Sequence, residues 1–303
     1  MSDTELCYLS AVDLRQRFER RELSPVEVAE ATLRRIESLN PSLNAYITVT
    51  AERALDDARV AETQYESGDP VPPLAGIPGS LKDLTATKGV RTTRGSLLTA
   101  DWVPDFDAPL AESLQRAGMV LLGKTNTPEL GWKGDTSNRV VGSTHNPWRH
   151  GRTPGGSSGG ASAAVVAGLG PLSQGTDGAG SIRIPAGLSG AFGFKPTWGS
   201  VPQYPASVVQ TLSHAGPITR SVGDAVLMLA AMAGPDARDR ASMPPEDLSL
   251  DDIEGGIKGL RVAWSSDLGY AAVDPAVADK VAAAARRFEE LGCTVEQAHP
   301  DVE

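Results

Sequence analysis

Cysteine is nearly missing from this chain of 303 residues, which carries only Cys7 and Cys293. Two thiols so far apart build no disulfide framework, and a reducing, cytoplasmic setting suits them. Histidine is as scarce. His145, His150, His214 and His299 show neither His-x-x-x-His nor paired-cysteine spacing, so no metal site is expected. No apolar run approaches the roughly 20 residues that cross a bilayer, so no membrane partner is expected. The start, Met-Ser-Asp-Thr-Glu, has neither the basic nor the apolar stretch of a secretion signal. Positive charge is in deficit: the formal net charge is −10, which argues against nucleic acid as a partner. With 40% hydrophobic and 22% charged residues, the composition excludes a disordered or fibrous chain. These absences leave a soluble globular protein, long enough for one large α/β core or two modest ones.

What is present changes along the chain. Residues 1–68 read as a helical segment packing on a core formed by residues 69–303. Ser24-Pro25-Val26-Glu27 offers a hydroxyl N-cap, proline at N1 and a glutamate at N3 to close a capping box. Val26, Ala29, Leu33 and Ile36 then share one face, and Asn40-Pro41 is the expected stop. A strand over 45–49 leads to a second polar helix over 52–66. Ser221 to Asp224 is another capping box, opening an apolar helix over 225–233. Residues 234–259 are Pro-rich and charged, as a surface loop would be. A strand over 260–264, a helix opened by Asp274-Pro275 and ended by Gly292, and a strand over 293–297 complete a βαβ-like stretch. The class is α/β with a largely buried sheet.

Two pattern matches fail on physics. Gly118-Met-Val-Leu-Leu-Gly123-Lys124-Thr125 fits the P-loop letter for letter. Its variable positions, however, are a buried strand rather than a loop with free amides, so Lys124 reads as structural. Gly155-Gly-Ser-Ser-Gly159 fits a nucleophile elbow but follows no strand. The true anomaly is residues 151–200, which hold 14 of the 32 glycines and only four charges: Arg152, Asp177, Arg183 and Lys195. Glycines alternate there with apolar runs that read as buried, which suggests close backbone packing around a site. Two serine clusters, Ser157/Ser158 and Ser181, fit activation without histidine, with a lysine elsewhere as base. Gly178-Ala179-Gly180 before Ser181 suits successive amides facing one point, the build of an oxyanion hole; a tight turn is the plain alternative.

Gly155-Gly-Ser-Ser-Gly-Gly160, Gly175-Thr-Asp-Gly-Ala-Gly-Ser-Ile-Arg-Ile-Pro-Ala186 and Phe194-Lys-Pro-Thr197 closely resemble the amidase signature family. Gly76-Ile-Pro-Gly-Ser-Leu-Lys82-Asp83 resembles that family's lysine motif, and the segments 123–131 and 146–148 also fit it. The resemblance implies a mixed sheet covered by helices and a Ser–cis-Ser–Lys triad. By motif position Ser181 would be the nucleophile, Ser157 the bridge and Lys82 the base. Gly178, Ala179, Gly180 and the Ser181 amide would hold the oxyanion, with Ser158, Asp177 and Arg183 in support. The chemistry requires Lys82 neutral, hence buried among Ile77, Leu81 and Leu84, with Asp83 pointing elsewhere.

The implied reaction is hydrolysis of a small-molecule carboxylic amide through a seryl acyl-enzyme, without metal or cofactor. Two departures bear on it. The family commonly has glycine where this chain has Ala179; at a position needing positive φ, alanine costs about 1 kcal/mol. Family chains are also longer, so this one, stopping at Glu303, reads as lacking the C-terminal third that adds strands and part of the acyl pocket. That leaves three alternatives beside the simple amidase. One is a glutamine-amidotransferase A-type subunit of a tRNA transamidation complex, whose loop usually carries glutamine where Ile184 stands. The others are a non-catalytic scaffold and half of a split enzyme, which would need a complementing C-terminal fragment. A homo-oligomer is compatible with each of these readings. Trp132, Trp198 and Tyr204 flank the motifs as candidates for lining an acyl pocket.

Overall fold

The structure is a computed structural model that describes residues 1–68, 70–244, 250, 253 and 255–300. The chain divides into two compact units, Met1–Leu248 and Ser249–Glu303. The first begins with α1 (Asp3–Tyr8), α2 (Ala11–Glu19), α3 (Pro25–Leu43), β1 (Tyr46–Val49), α4 (Ala51–Ser67), β2 (Pro78–Lys82), α5 (Pro109–Arg116) and β3 (Val120–Thr125). It continues through β4 (Ser137–Asn138), β5 (Gly142–Ser143), α6 (Gly159–Val166), β6 (Leu172–Asp177), α7 (Arg183–Ser189), β7 (Phe192–Gly193), β8 (His214–Thr219) and α8 (Val222–Met232). Six strands form one mixed sheet in the order β1-β3-β2-β6-β8-β7. β2 runs parallel to both β3 and β6; β1, β8 and β7 join antiparallel.

Every residue of β2 and β3 is buried, so the sheet centre must be covered on both faces. β3 shows this position by position. Leu121 enters a core with Leu14, Phe18, Leu114 and Met228. Its neighbours Val120 and Leu122 enter another with Ile36, Ala58 and Ala164, as the two-residue period of a strand dictates. The P-loop look-alike thus lies largely within a buried strand.

Two sequence expectations for the helices need correction. α3 passes Pro41 and ends three residues beyond Asn40, at Leu43. Pro41 falls in the last turn, where it removes only one intrahelical bond. Asn44, left-handed at φ 54°, stops the helix and returns its N–H to Asn40 O at 2.8 Å. The capping boxes are only half formed. Ser24 accepts the Val26 and Glu27 amides but gives its own proton to Glu62 of α4. Ser221 accepts from Asp224 N–H at 3.2 Å, while the Asp224 carboxylate takes the Val12 N–H of α2. In each box one member is drawn into a tertiary contact, the Ser24 hydroxyl with Glu62 and the Asp224 carboxylate with Val12.

In the second unit β9 (Arg261–Trp264) pairs parallel with β10 (Thr294–Gln297) around α9 (Pro275–Glu290). Asp274 caps α9 by accepting the Ala276 N–H at 2.8 Å. Of the expected surface loop over 234–259, residues 245–249, 251, 252 and 254 lie outside the described residues. The described part carries Arg238, ion-paired to Asp236 and Glu112 at 2.8 and 2.7 Å. No helix among the described residues is long and apolar enough to cross a membrane.

α6 is the element that fixes the site, and it is buried from Gly159 through Val165. Small residues let it pass close to the sheet: a Cβ on Gly160 would stand 2.4 Å from Asn126 N and 2.6 Å from Ala45 O. Gly160→Ala is therefore expected to lower unfolding free energy in urea by about 1–3 kcal/mol. Gly187→Ala is the control, because a Cβ there meets nothing within 4 Å. It should leave stability unchanged or raise it by up to about 1 kcal/mol.

Candidate active site

β2 and β6 pair at only two positions, Gly79 with Leu172 and Ser80 with Ser173. Beyond them side chains bridge the strands. Gln174 accepts from the Lys82 N–H at 3.1 Å and the Thr85 hydroxyl at 2.9 Å, standing where a ladder carbonyl would be. Two residues on, the Thr176 hydroxyl lies 2.8 Å from Lys82 Nζ. The entry to α6 brings two further hydroxyls to the same nitrogen, Ser157 Oγ at 2.6 Å and Ser158 Oγ at 2.9 Å. The Gly156–Ser157 peptide is cis, as the resemblance implies.

Lys82 is fully buried. Burial disfavours its charged form and brings its pKa down to about 7, against the opposing pull of the Asp177 carboxylate. Asp83 does point elsewhere: its carboxyl accepts the Thr93 N–H and hydroxyl, and burial raises its own pKa. Ser158 has a fixed orientation. It accepts the Thr176 N–H and donates to the Thr176 carbonyl, both at 3.2 Å, so it can only accept from Lys82.

Ser181 lies half-buried in the turn between β6 and α7, its carbonyl accepting the Ser158 N–H at 3.2 Å. Its hydroxyl has no hydrogen-bond partner among the described residues, so the Ser157–Ser181 contact implied by the resemblance is not closed here. Both serines line one cleft of about 490 Å³.

The loop is organised by Asp177. Its carboxylate accepts Gly180 N–H at 2.6 Å, Ile182 N–H at 3.1 Å and the Arg183 guanidinium at 3.0 and 3.1 Å. Burial alone would raise its pKa, but these donors hold it at about 2. Two expectations change as a result. The Gly180 N–H is committed to Asp177 and is not free for an oxyanion, whereas those of Gly178, Ala179 and Ser181 have no acceptor among the described residues. The left-handed residue is Gly180, at φ 107°, and not Ala179. Alanine therefore carries no conformational penalty at its position.

Trp132 and Tyr204 line the cleft; Trp198 does not. Lys124 is buried away from the serines, holding the Thr85 carbonyl and the Thr87 and Thr92 hydroxyls. Among the described residues no group of three His, Cys, Asp or Glu side chains is placed to hold a metal ion. Thr176 and Gln174 are the site residues that sequence reasoning missed. Their signal was alternation: they stand one and three positions before Asp177, on one face of a strand.

A family model described as Amidase matches residues 27–303. An acylamidase of Rhodococcus erythropolis is 46% identical over 99% of this chain and 63% of its own length. The A-type subunit of a glutamyl-tRNA(Gln) amidotransferase from Moorella thermoacetica is 42% identical over 97% of this chain and 61% of its own. Among solved structures, a bacterial aryl acylamidase of the amidase signature enzymes superposes with a TM-score of 0.89 at 34% identity, covering 96% of this chain and 61% of that one. The chain thus spans less than two thirds of the length of these relatives. Shared sequence motifs, fold and family match lead to one conclusion: the chain belongs to the amidase signature family.

Proposed function

We propose that this chain acts as an amidohydrolase, cleaving a carboxylic amide C–N bond through a seryl acyl-enzyme. The reading is carried by Lys82, a water-shielded amine without an ion-pair partner that touches three hydroxyls at 2.6–2.9 Å. A neutral amine has two N–H donors and one lone pair. Ser158 accepts one N–H and Thr176 the other, which leaves the lone pair to Ser157 at the shortest distance. Ser157 then donates to Lys82 and, as its proton leaves, accepts the proton of Ser181.

Ser181 Oγ bonds to the amide carbon while the carbonyl pair moves onto oxygen. The free amides of Gly178, Ala179 and Ser181 would receive that oxyanion, each good donor contributing about 3 kcal/mol of barrier lowering. On collapse the C–N bond breaks, and the proton held by Lys82 passes through Ser157 to the departing nitrogen. Water attacks the acyl ester by the same relay, releasing a carboxylate and restoring Ser181. Asp177 and Arg183 act by holding the loop. A small-molecule amide is the substrate class, with no cofactor in these steps.

The second reading, a glutamine-amidotransferase A-type subunit, is favoured by the Moorella relative and opposed by Ile184. Ammonia release from glutamine that requires added partner subunits would select it.

A fluorophosphonate probe followed by peptide mapping tests the assignment. Labelling is expected at Ser181, and Lys82→Ala should slow both labelling and turnover by about a thousandfold or more. A label on Ser157 would exchange nucleophile and bridge; no label on folded protein would favour the scaffold reading.

The pH profile tests the base. Lys82 works only when neutral, so kcat/KM should fall as pH drops through its pKa of about 7 and level off above it. A flat profile from pH 5 to about 9 would remove Lys82 as the base.

A further inference from the structure

The cleft wall holds a charged side chain that neither the reaction above nor an ion pair uses. Arg94 lines it beside Leu84, Thr85 and Leu130, half-buried. Its guanidinium carbon lies 4.4 Å from the centroid of the Trp102 ring. Stacking uses the guanidinium face and leaves its N–H donors, which lie in the plane, free. Among the described residues those donors have no hydrogen-bond acceptor and no ion-pair partner. The chain carries a net charge of −10, yet no aspartate or glutamate lines this cleft. Lys133, the other cation in the wall, is already paired to Asp135 at 3.1 Å.

The backbone under Arg94 is held as tightly as the site itself. Its N–H donates to the carbonyl of Asp83, next to Lys82, at 3.0 Å. Its carbonyl accepts from Leu130 N–H at 2.8 Å, next to the Gly131 that faces Ser157. Arg94 is also left-handed, at φ 53°, a conformation a non-glycine residue keeps only where its surroundings enforce it. A long side chain is thus anchored at both ends, by backbone clamps and by an aromatic platform, with its donors unspent.

Resting on the amidase reading, we infer that Arg94 is a specificity-determining residue that binds a carboxylate on the substrate, so that the cleft selects monoanionic amides over neutral ones. One unpaired guanidinium matches one carboxylate by its two-pronged geometry. A free α-amino acid suits the cleft less, because no lining acid is there to take its ammonium group.

The test compares adipamate with hexanamide, amides of equal chain length that differ by one carboxylate. Calorimetric Kd values at low salt should show the wild-type chain binding adipamate at least about tenfold tighter. Arg94→Met should bring the ratio to about one, Arg94→Lys should keep part of it, and added salt should erode it. Where the amides turn over, the Arg94→Met loss should fall on KM for adipamate and leave hexanamide unchanged. Equal binding of both amides by wild type, or a preference that survives in Arg94→Met, would overturn the inference. If the methionine variant fails to fold, Arg94→Gln and Arg94→Lys decide it: the first must lose the preference and the second retain some. Because the readout is binding, the two readings separate. An Arg94-dependent preference without hydrolysis would remove the amidase reading as the source of activity. Hydrolysis without a preference would remove only the role of Arg94.

Discussion

The site depends on keeping one amine buried without a counter-ion. An ammonium taken out of water costs several kcal/mol unless a carboxylate compensates it, so the absence of a paired carboxylate is what favours the neutral form of Lys82. The two acids able to neutralise it are both occupied. Asp83, its chain neighbour, is turned into the Thr93 turn. Asp177 is saturated by Arg183 and by the amides of its own loop. The Asp177–Arg183 pair therefore does two things at once: it shapes the turn that carries Ser181, and it sets a positive charge beside a carboxylate whose pull favours the protonated lysine. Removing Arg183 would act on Lys82 as well as on the loop.

The second constraint is space between strands. The β2–β6 ladder covers only two positions, and beyond them side chains make the connection. The unpaired Lys82 amide is then a liability, because a buried backbone N–H without an acceptor costs about 1–3 kcal/mol. Gln174 removes it with a side-chain carbonyl and extends the connection to Thr85. The lysine's main chain is thus fixed from β6, which also supplies Thr176, so one strand helps to position both the backbone and the side chain of Lys82.

The sequence is informative where local rules and spacing act, and silent where tertiary contacts decide. Helix and strand positions follow from periodicity, and the motifs alone single out Lys82, Ser157 and Ser158 as members of one site. The end of α3 is not legible in the same way, because a proline in a last turn costs little, and an αL asparagine, not the proline, sets the stop. The half-formed capping boxes show the same limit: Glu62 and Val12, distant in sequence, engage the Ser24 hydroxyl and the Asp224 carboxylate. Gly180 illustrates the limit most sharply. Its small size suits an oxyanion loop, but its N–H is consumed by the carboxylate three residues earlier, and no spacing rule distinguishes an amide that faces a substrate from one that faces an aspartate.

Lys124 separates burial from function. It is as buried as Lys82, and burial likewise lowers its pKa to about 7. A depressed lysine pKa thus does not by itself mark a base. The difference lies in the partners. Lys124 faces a carbonyl, a pure acceptor that has no proton to give up, and two threonines in an interior turn. Lys82 faces Ser157, whose proton is not engaged elsewhere and which opens onto the cleft. One amine can only donate and tie a loop together; the other can receive. Two lysines of equal burial thus meet opposite surroundings, and the hydroxyl at the cleft wall, more than the low pKa, is what sets Lys82 apart from Lys124.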